Sequence, residues 1–434
     1  MAFQMILALS IIVAIHEFGH LITAKIFGMK VEKYFIGFPP KIFSFMYKGT
    51  EYGLGSIPLG GFVKIAGIID ESFDTKHMNK KPKEWEFRSK PAWQRLIVML
   101  GGIFLNVITG IIIFIFLTYK NGDQYVSKDE INKYGIVALE LGKEIGLKTG
   151  DKILNINGKE WEKDSELFDP NIFFNDKSYY TIERNGKILK VFFPDDFLNN
   201  FSSRKAMNSF IKIRVPFSID SVMSESNAYI IDLRSGDKII SIDNIEIIDM
   251  QEFHEVIKTK EEKIFQLDIL RGKEKISKTI QLDSNDKMGI IMKPDNLNYS
   301  KIDFTFSESI SIGTIRSFSI VIINVKAFGQ MLSGKIDPTK SLSGPIGIAQ
   351  IFGGSFQWDR FWSMTGLISM ILAFMNLLPI PALDGGHALF IIVELFSGRK
   401  PSEKFLEYST KFGVIILLSL MSFVIINDIY KLFV

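Results

Sequence analysis

The chain has 434 residues, 47% of them hydrophobic and 23% charged, with a formal net charge of +3. So small a charge on so long a chain does not suggest a nucleic-acid binder, and the length exceeds what one ordinary domain needs. The absence of cysteine excludes disulfides, thiolate metal sites and a cysteine nucleophile.

Residues 1–15 carry no charge, and the apolar pattern continues through HEFGH (16–20) to about Met29. A secretory signal peptide would need a basic start and a small-residue cleavage site. No Lys or Arg precedes Lys25, so residues 1–29 read as a first transmembrane helix. Residues 30–92 read as a cytoplasmic loop. Within it TEYGLGSIPLGGFVKIAG (50–67), rich in Gly and alternating apolar residues, reads as a hairpin dipping into the membrane. Residues 96–118 are uncharged, and a second span is expected over 93–118, since a span needs roughly 20 apolar residues.

The polar middle contains an internal repeat. GLKTGDKILNINGKEW (146–161) matches DLRSGDKIISIDNIEI (232–247), and each copy is followed by a strand ending in a basic hairpin turn, TIERNGKI (181–188) and DILRGKEKI (268–276). Gly-Asp before alternating apolar residues reads as a turn entering a strand. The arrangement resembles two PDZ modules in tandem, over 119–215 and 216–300. Such modules bind extended peptides by adding a strand to a sheet edge, or here exclude bulky substrates by volume.

Residues 301–358 include an apolar stretch (310–334) interrupted by Arg316 and Lys326. It reads as an amphipathic helix on the membrane surface or a helix packed on the outer domain. A third span is expected over 359–395, containing LDGG (383–386), and a fourth over 406–430. Eleven Lys/Arg in residues 28–92, among them Lys76, Lys80, Lys81 and Lys83, and Arg399, Lys400 and Lys404 in the 397–405 loop place both loops in the cytoplasm by the positive-inside rule. The fold class is then a polytopic α-helical membrane protein with four transmembrane helices and an inserted tandem of PDZ-like β-rich domains outside the cytoplasm.

On a helix His16 and His20 lie one turn apart on one face and can share a Zn²⁺, with Glu17 beside them able to act on water without being a ligand. Ionisable groups at membrane depth cost roughly 2.5–3.5 kcal/mol each on insertion scales and are functional by default. A hydrolytic zinc site takes three protein ligands. The best candidate for the third is Asp384, in NLLPIPALDGGH (376–387), with His387 as a rival ligand. Pro379 and Pro381 cannot continue a helix and should break span three, while Gly385 and Gly386 let another segment approach. Asn376, on the span of Asp384, is a candidate for hydrogen bonding substrate backbone or an oxyanion. Gly60 and Gly61 are candidates for substrate binding through the hairpin edge.

HEFGH, GGFVK (60–64), SGPIGIA (343–349) and NLLPIPALDGG (376–386) together resemble the site-2 protease family of intramembrane zinc metalloproteases, in its bacterial regulator-of-sigma-E-protease branch. GFPP (37–40) stands where that branch has a GFGP-like segment, and LRSGD replaces a GL-x-x-GD entry in the second module. The resemblance implies Zn²⁺ held by His16, His20 and Asp384, with Glu17 as catalytic base. It implies regulated intramembrane proteolysis in the bacterial inner (cytoplasmic) membrane. The partners would be single-pass membrane proteins already trimmed on the outer side, such as anti-sigma factors or remnant signal peptides. The rivals are a non-catalytic membrane scaffold with PDZ-mediated peptide binding, and a zinc transporter. The scaffold would leave Glu17 superfluous. The transporter would need more ligands along a path than five histidines supply.

Overall fold

The computed structural model describes residues 1–68, 81–174, 177–194, 197, 208–259, 263–283 and 287–433. The basic residues Lys76 and Lys80, used above for orientation, lie outside them. The chain divides into two compact units: Met1–Gly122 with Asp303–Met331 and Leu342–Val434, and Asp123–Ile302 with Leu332–Ser341.

The first unit is built on helices α1 (Ala2–Ile26) and α2 (Ala92–Asn121), with a long hairpin between them, β1 (Val31–Tyr47) and β2 (Thr50–Ile65). It continues through α3 (Phe306–Leu332), α4 (Pro345–Ile351), α5 (Trp358–Leu377), α6 (Asp384–Ser397) and α7 (Glu403–Phe433). Among the described residues five stretches are long and apolar enough to cross a membrane: α1, α2, α3, α5 and Lys404–Lys431 within α7. The stretch expected as a surface or domain-packed helix is thus α3. Its buried residues are Ser309, Gly313 and Ser317, a small-residue stripe at spacing four. A Cβ at Gly313 would stand 2.6 Å from Ile115 Cα, so this stripe lies against α2.

Small residues set the other crossings as well. With apolar surroundings on every side, packing distance and hydrogen bonds between helices replace the hydrophobic drive. A Cβ at Gly19 would sit 2.2 Å from the Gly101 carbonyl oxygen, which fixes how closely α1 and α2 cross. Ser369 Oγ on α5 donates to the Asn106 carbonyl on α2 at 2.8 Å. Arg95 on α2 pairs with Glu394 on α6 at 2.5 Å, both largely shielded.

The segment expected as one span over 359–395 is two helices. α5 ends at Leu377 and α6 begins at Asp384, so the break falls where Pro379 and Pro381 remove backbone donors. Ala382 has φ 91°, in the left-handed region. Gly385 and Gly386 admit the backbone of the break: a Cβ at either would lie 2.4 or 2.3 Å from the Leu377 or Ile380 carbonyl oxygen. Asp384 therefore stands at the head of a helix directly after a break in the span.

The hairpin doubles on itself. Lys33–Ile36 face Lys64–Gly61 on one side and Glu51–Leu54 on the other, while Lys41–Tyr47 face Gly55–Thr50. Gly37, at φ 87°, makes the fold-back possible. Tyr34 Oη on β1 donates to the Ala14 carbonyl at 2.8 Å, and Ser10 Oγ on α1 to the Pro58 carbonyl at 2.9 Å, which ties β1 and the 57–65 limb to α1.

The second unit contains two β-rich modules with separate cores, one around Ile136, Ile153, Tyr180 and Phe210, the other around Phe217, Ile239, Leu267 and Ile269. Each repeat enters a strand, Lys152–Ile156 or Lys238–Ile242, that pairs with Tyr179–Arg184 or Ile264–Arg271. The repeat extends to its ion pairs. Asp151 holds Arg184 and accepts from Lys148 N, while Arg184 donates to the Gly146 carbonyl. Asp237 holds Arg271 and accepts from Arg234 N, while Arg271 donates to the Asp232 carbonyl. Both aspartates are 1% exposed, so each arginine closes its Gly-Asp turn onto the second strand of its sheet.

Candidate metal centre

α1 carries His16 and His20 on one face, their ring centroids 4.8 Å apart and their planes nearly perpendicular. Both are buried. Asp384, placed by the break before α6, faces them from another segment of the chain. Its Oδ2 lies 3.0 Å from His16 Nε2 and 3.3 Å from His20 Nε2, and the two Nε2 atoms are 3.3 Å apart. Among the described residues these three form the one group able to hold a metal ion.

The donor chemistry fits a cation. His20 Nδ1 lies 2.8 Å from the Val98 carbonyl, which can only accept, so Nδ1 carries the proton. In a neutral imidazole Nε2 then presents a lone pair, aimed at a carboxylate oxygen and at a second ring nitrogen. Asp384 Oδ2 is buried without a hydrogen-bond partner among the described residues. With His16 in the same tautomer as His20, the three groups would face one another as acceptors around a positive centre. A tetrahedral zinc site with ligand bonds of about 2.0–2.2 Å has donor–donor edges of about 3.3–3.6 Å, against the 3.0, 3.3 and 3.3 Å found here.

α2 makes room for the rings. A Cβ at Gly102 would stand 2.5 Å from His20 Nε2 and 2.7 Å from His16 Cε1. Glu17 is not in the triangle. It sits beside it, hydrogen-bonded to the backbone of Val63 on β2. Asn376, near the end of α5, has Nδ2 3.3 Å from His16 Nε2. His387, the rival ligand, lies outside the triangle and lines a separate cleft with Arg95, Met99 and Glu394.

Gly60 and Gly61 lie in the 57–65 limb. A Cβ at Gly60 would meet the Phe38 ring at 2.4 Å, and one at Gly61 the Phe35 carbonyl oxygen at 2.7 Å and Val13 Cγ1 at 3.3 Å. Their visible work is close packing of the limb against β1 and α1. Sequence reasoning missed Val98, Gly102 and Asn106, which all approach the histidines from α2. The one available signal was a Gly-Gly pair and a lone Asn inside an otherwise uncharged apolar run.

The profile of Peptidase family M50 matches residues 4–420. The chain is 28% identical to a Fusobacterium nucleatum protein named "Putative zinc metalloprotease", over 99% of this chain and 98% of that one. It is also 28% identical to the "Regulator of sigma E protease" of Haemophilus influenzae and to the "Regulator of sigma-E protease RseP" of Salmonella typhimurium, over 98% of each chain in both cases.

Proposed function

The chain belongs to peptidase family M50, and from that premise we propose that it is a membrane-embedded zinc endopeptidase cutting transmembrane segments of single-pass membrane proteins. The observation that carries this reading is the buried triangle of His16 Nε2, His20 Nε2 and Asp384 Oδ2, assembled from two apolar stretches of chain. These three residues would hold the ion. When bound, zinc supplies Lewis-acid polarisation of the scissile carbonyl and a lowered pKa for the attacking water.

Glu17 takes the proton of that water and passes it to the leaving amine. A hydrogen bond to the Val63 backbone holds its carboxylate. Asn376 donates from Nδ2 to the oxygen that gains charge. An intact substrate helix hides its carbonyls, so it must be unwound. The 57–65 limb of β2, with Gly60 and Gly61 flattening it onto β1 and α1, offers an edge on which an extended substrate strand can pair. Non-helical backbone at membrane depth is permitted there because protein covers it.

α1, α2, the α5–α6 pair and α7 form the four spans, with α3 along the outer surface. The basic 28–92 and 397–405 loops face the cytoplasm of a bacterial inner membrane. The two repeated modules then lie outside, as PDZ-like domains that admit substrates already trimmed there. Membrane regulators such as anti-sigma factors, or remnant signal peptides, fit that requirement.

The test compares membranes of cells carrying wild-type protein or Glu17→Gln. The variant keeps its zinc and lets shortened single-pass proteins accumulate. Identical membrane proteomes at equal expression would remove the protease reading.

A further inference from the structure

We propose that Asn106 is a positioning residue that fixes the tautomer of His16, as the Val98 carbonyl fixes that of His20. The inference rests on the zinc reading above and extends it from the ligands to the helix behind them. Val98, Gly102 and Asn106 form a row at spacing four on α2, a single ridge facing α1. Gly102 leaves space for both rings, and the two flanking positions each address one of them. Val98 O lies 2.8 Å from His20 Nδ1, and the Asn106 amide lies 3.3 Å from His16 Nδ1.

The argument is one of proton counting. His16 has amide groups 3.3 Å from both ring nitrogens, Asn106 at Nδ1 and Asn376 at Nε2. A neutral imidazole has one donor and one acceptor, so both amides cannot present N–H groups to it. Nε2 is the atom that faces Asp384 and His20. For a cation to be shared there, Nε2 must keep its lone pair and Nδ1 must carry the proton. Asn106 then has to present Oδ1 to the ring.

A second observation agrees. Asn106 is 0% exposed, and its Oδ1 is buried without a hydrogen-bond partner among the described residues. Turning the planar amide over exchanges Oδ1 and Nδ2 with almost no change of shape. It gives Oδ1 the Nδ1–H as donor and leaves Nε2 free for the metal. The pattern follows the general rule that a ligating histidine donates its other N–H to a fixed acceptor, which holds the ring orientation and raises its basicity.

The experiment uses the full chain in detergent, loaded with zinc. Zinc affinity is measured by competition with a chromophoric chelator for wild type, Asn106→Leu, Asn106→Asp and Ser369→Ala. Leu keeps the volume and removes the acceptor, whereas Asp keeps an acceptor. Ser369→Ala disturbs the same helix contact through the Asn106 backbone carbonyl alone. Loss of an outer partner of this kind weakens metal binding about 10–100-fold. That loss is expected for Asn106→Leu, with Asn106→Asp and Ser369→Ala within a few-fold of wild type. Nitrogen NMR of histidine-labelled, zinc-loaded wild type reads the tautomer directly and needs no variant to fold; His16 protonated at Nδ1 is expected. Equal affinity of Asn106→Leu and wild type, failure of Asp to rescue a folded Leu-like loss, or a His16 resonance without a proton on Nδ1 would each overturn the proposal. Wild type that takes up no zinc would instead remove the reading on which the proposal rests.

Discussion

Gly102 and His20 occupy space that no side chain could share: a Cβ at Gly102 would stand 2.5 Å from His20 Nε2. The ring is also tethered through Nδ1 to the Val98 carbonyl, one turn from Gly102 on the same helix α2, which limits how far it can yield. Gly102→Ala should therefore push the imidazoles away from Asp384. We expect zinc affinity and proteolysis to fall at least tenfold while the helical far-ultraviolet signal stays unchanged. Metal titration of the purified variant checks this, and wild-type affinity would show that the rings move freely.

The Asp237–Arg271 pair closes the second module as Asp151–Arg184 closes the first. Removing one member of a shielded pair leaves the other charge uncompensated. Arg271→Leu should destabilise the second module by on the order of 3 kcal/mol. Hydrogen exchange on the full chain should show faster exchange confined to residues 217–282. Exchange that is unchanged, or raised equally in residues 126–211, would contradict the pairing of lock and module.

Hydrogen bonds from Ser277, then Lys275 and Ser241, hold the Asp268 carboxyl well below the usual carboxylate range. A depressed folded-state pKa gives stability that is fully present above the unfolded value, about 3.9. It is lost as pH falls further toward the folded value, because the unfolded chain takes up the proton first. The second module should thus keep this contribution at pH 5 and lose it progressively below pH 4. Asp268→Asn should lower stability at pH 6 and flatten the acid dependence, as read by urea unfolding at a series of pH values.

Asp428 on α7 grips the start of α4, accepting from Gly344 N at 2.8 Å, Ile346 N at 2.9 Å and Gly347 N at 3.1 Å. Asp428→Asn replaces one acceptor oxygen by a donor facing those N–H groups. Since the chain has no cysteine, Ile346→Cys provides a single reporter. Its maleimide labelling should rise several-fold in the Asp428→Asn background, and unchanged labelling would show that α4 is held by other contacts.

The meeting of His16, His20 and Asp384 was legible in sequence because charge inside an apolar run is costly and therefore informative, for HEFGH and LDGG alike. The break between α5 and α6 was legible because Pro379 and Pro381 cannot be helix interior. The Gly-Asp turns announced the two modules, but their arginines, 33 and 34 residues downstream, carry no local signal and emerge only from the sheet register. The fold-back of β1 on β2 was hidden for a similar reason. Alternation identifies strands, while the register of Lys33–Ile36 against two partners depends on Gly37 and Gly55 admitting backbone contacts. Asn106 carried only a weak signal, because an amide in a span reads as ordinary helix packing until a histidine is found against it. α3 stayed ambiguous because it buries only small residues, and these leave no hydrophobic period.

The most direct measurement is the zinc content of the purified full-length chain, by elemental analysis, for wild type and Asp384→Ala. A shared ion predicts one zinc per wild-type chain and a sharp loss in the variant, although α1 and both its histidines remain intact. A metal-free wild type after zinc loading, or full occupancy without the Asp384 carboxylate, would contradict the account.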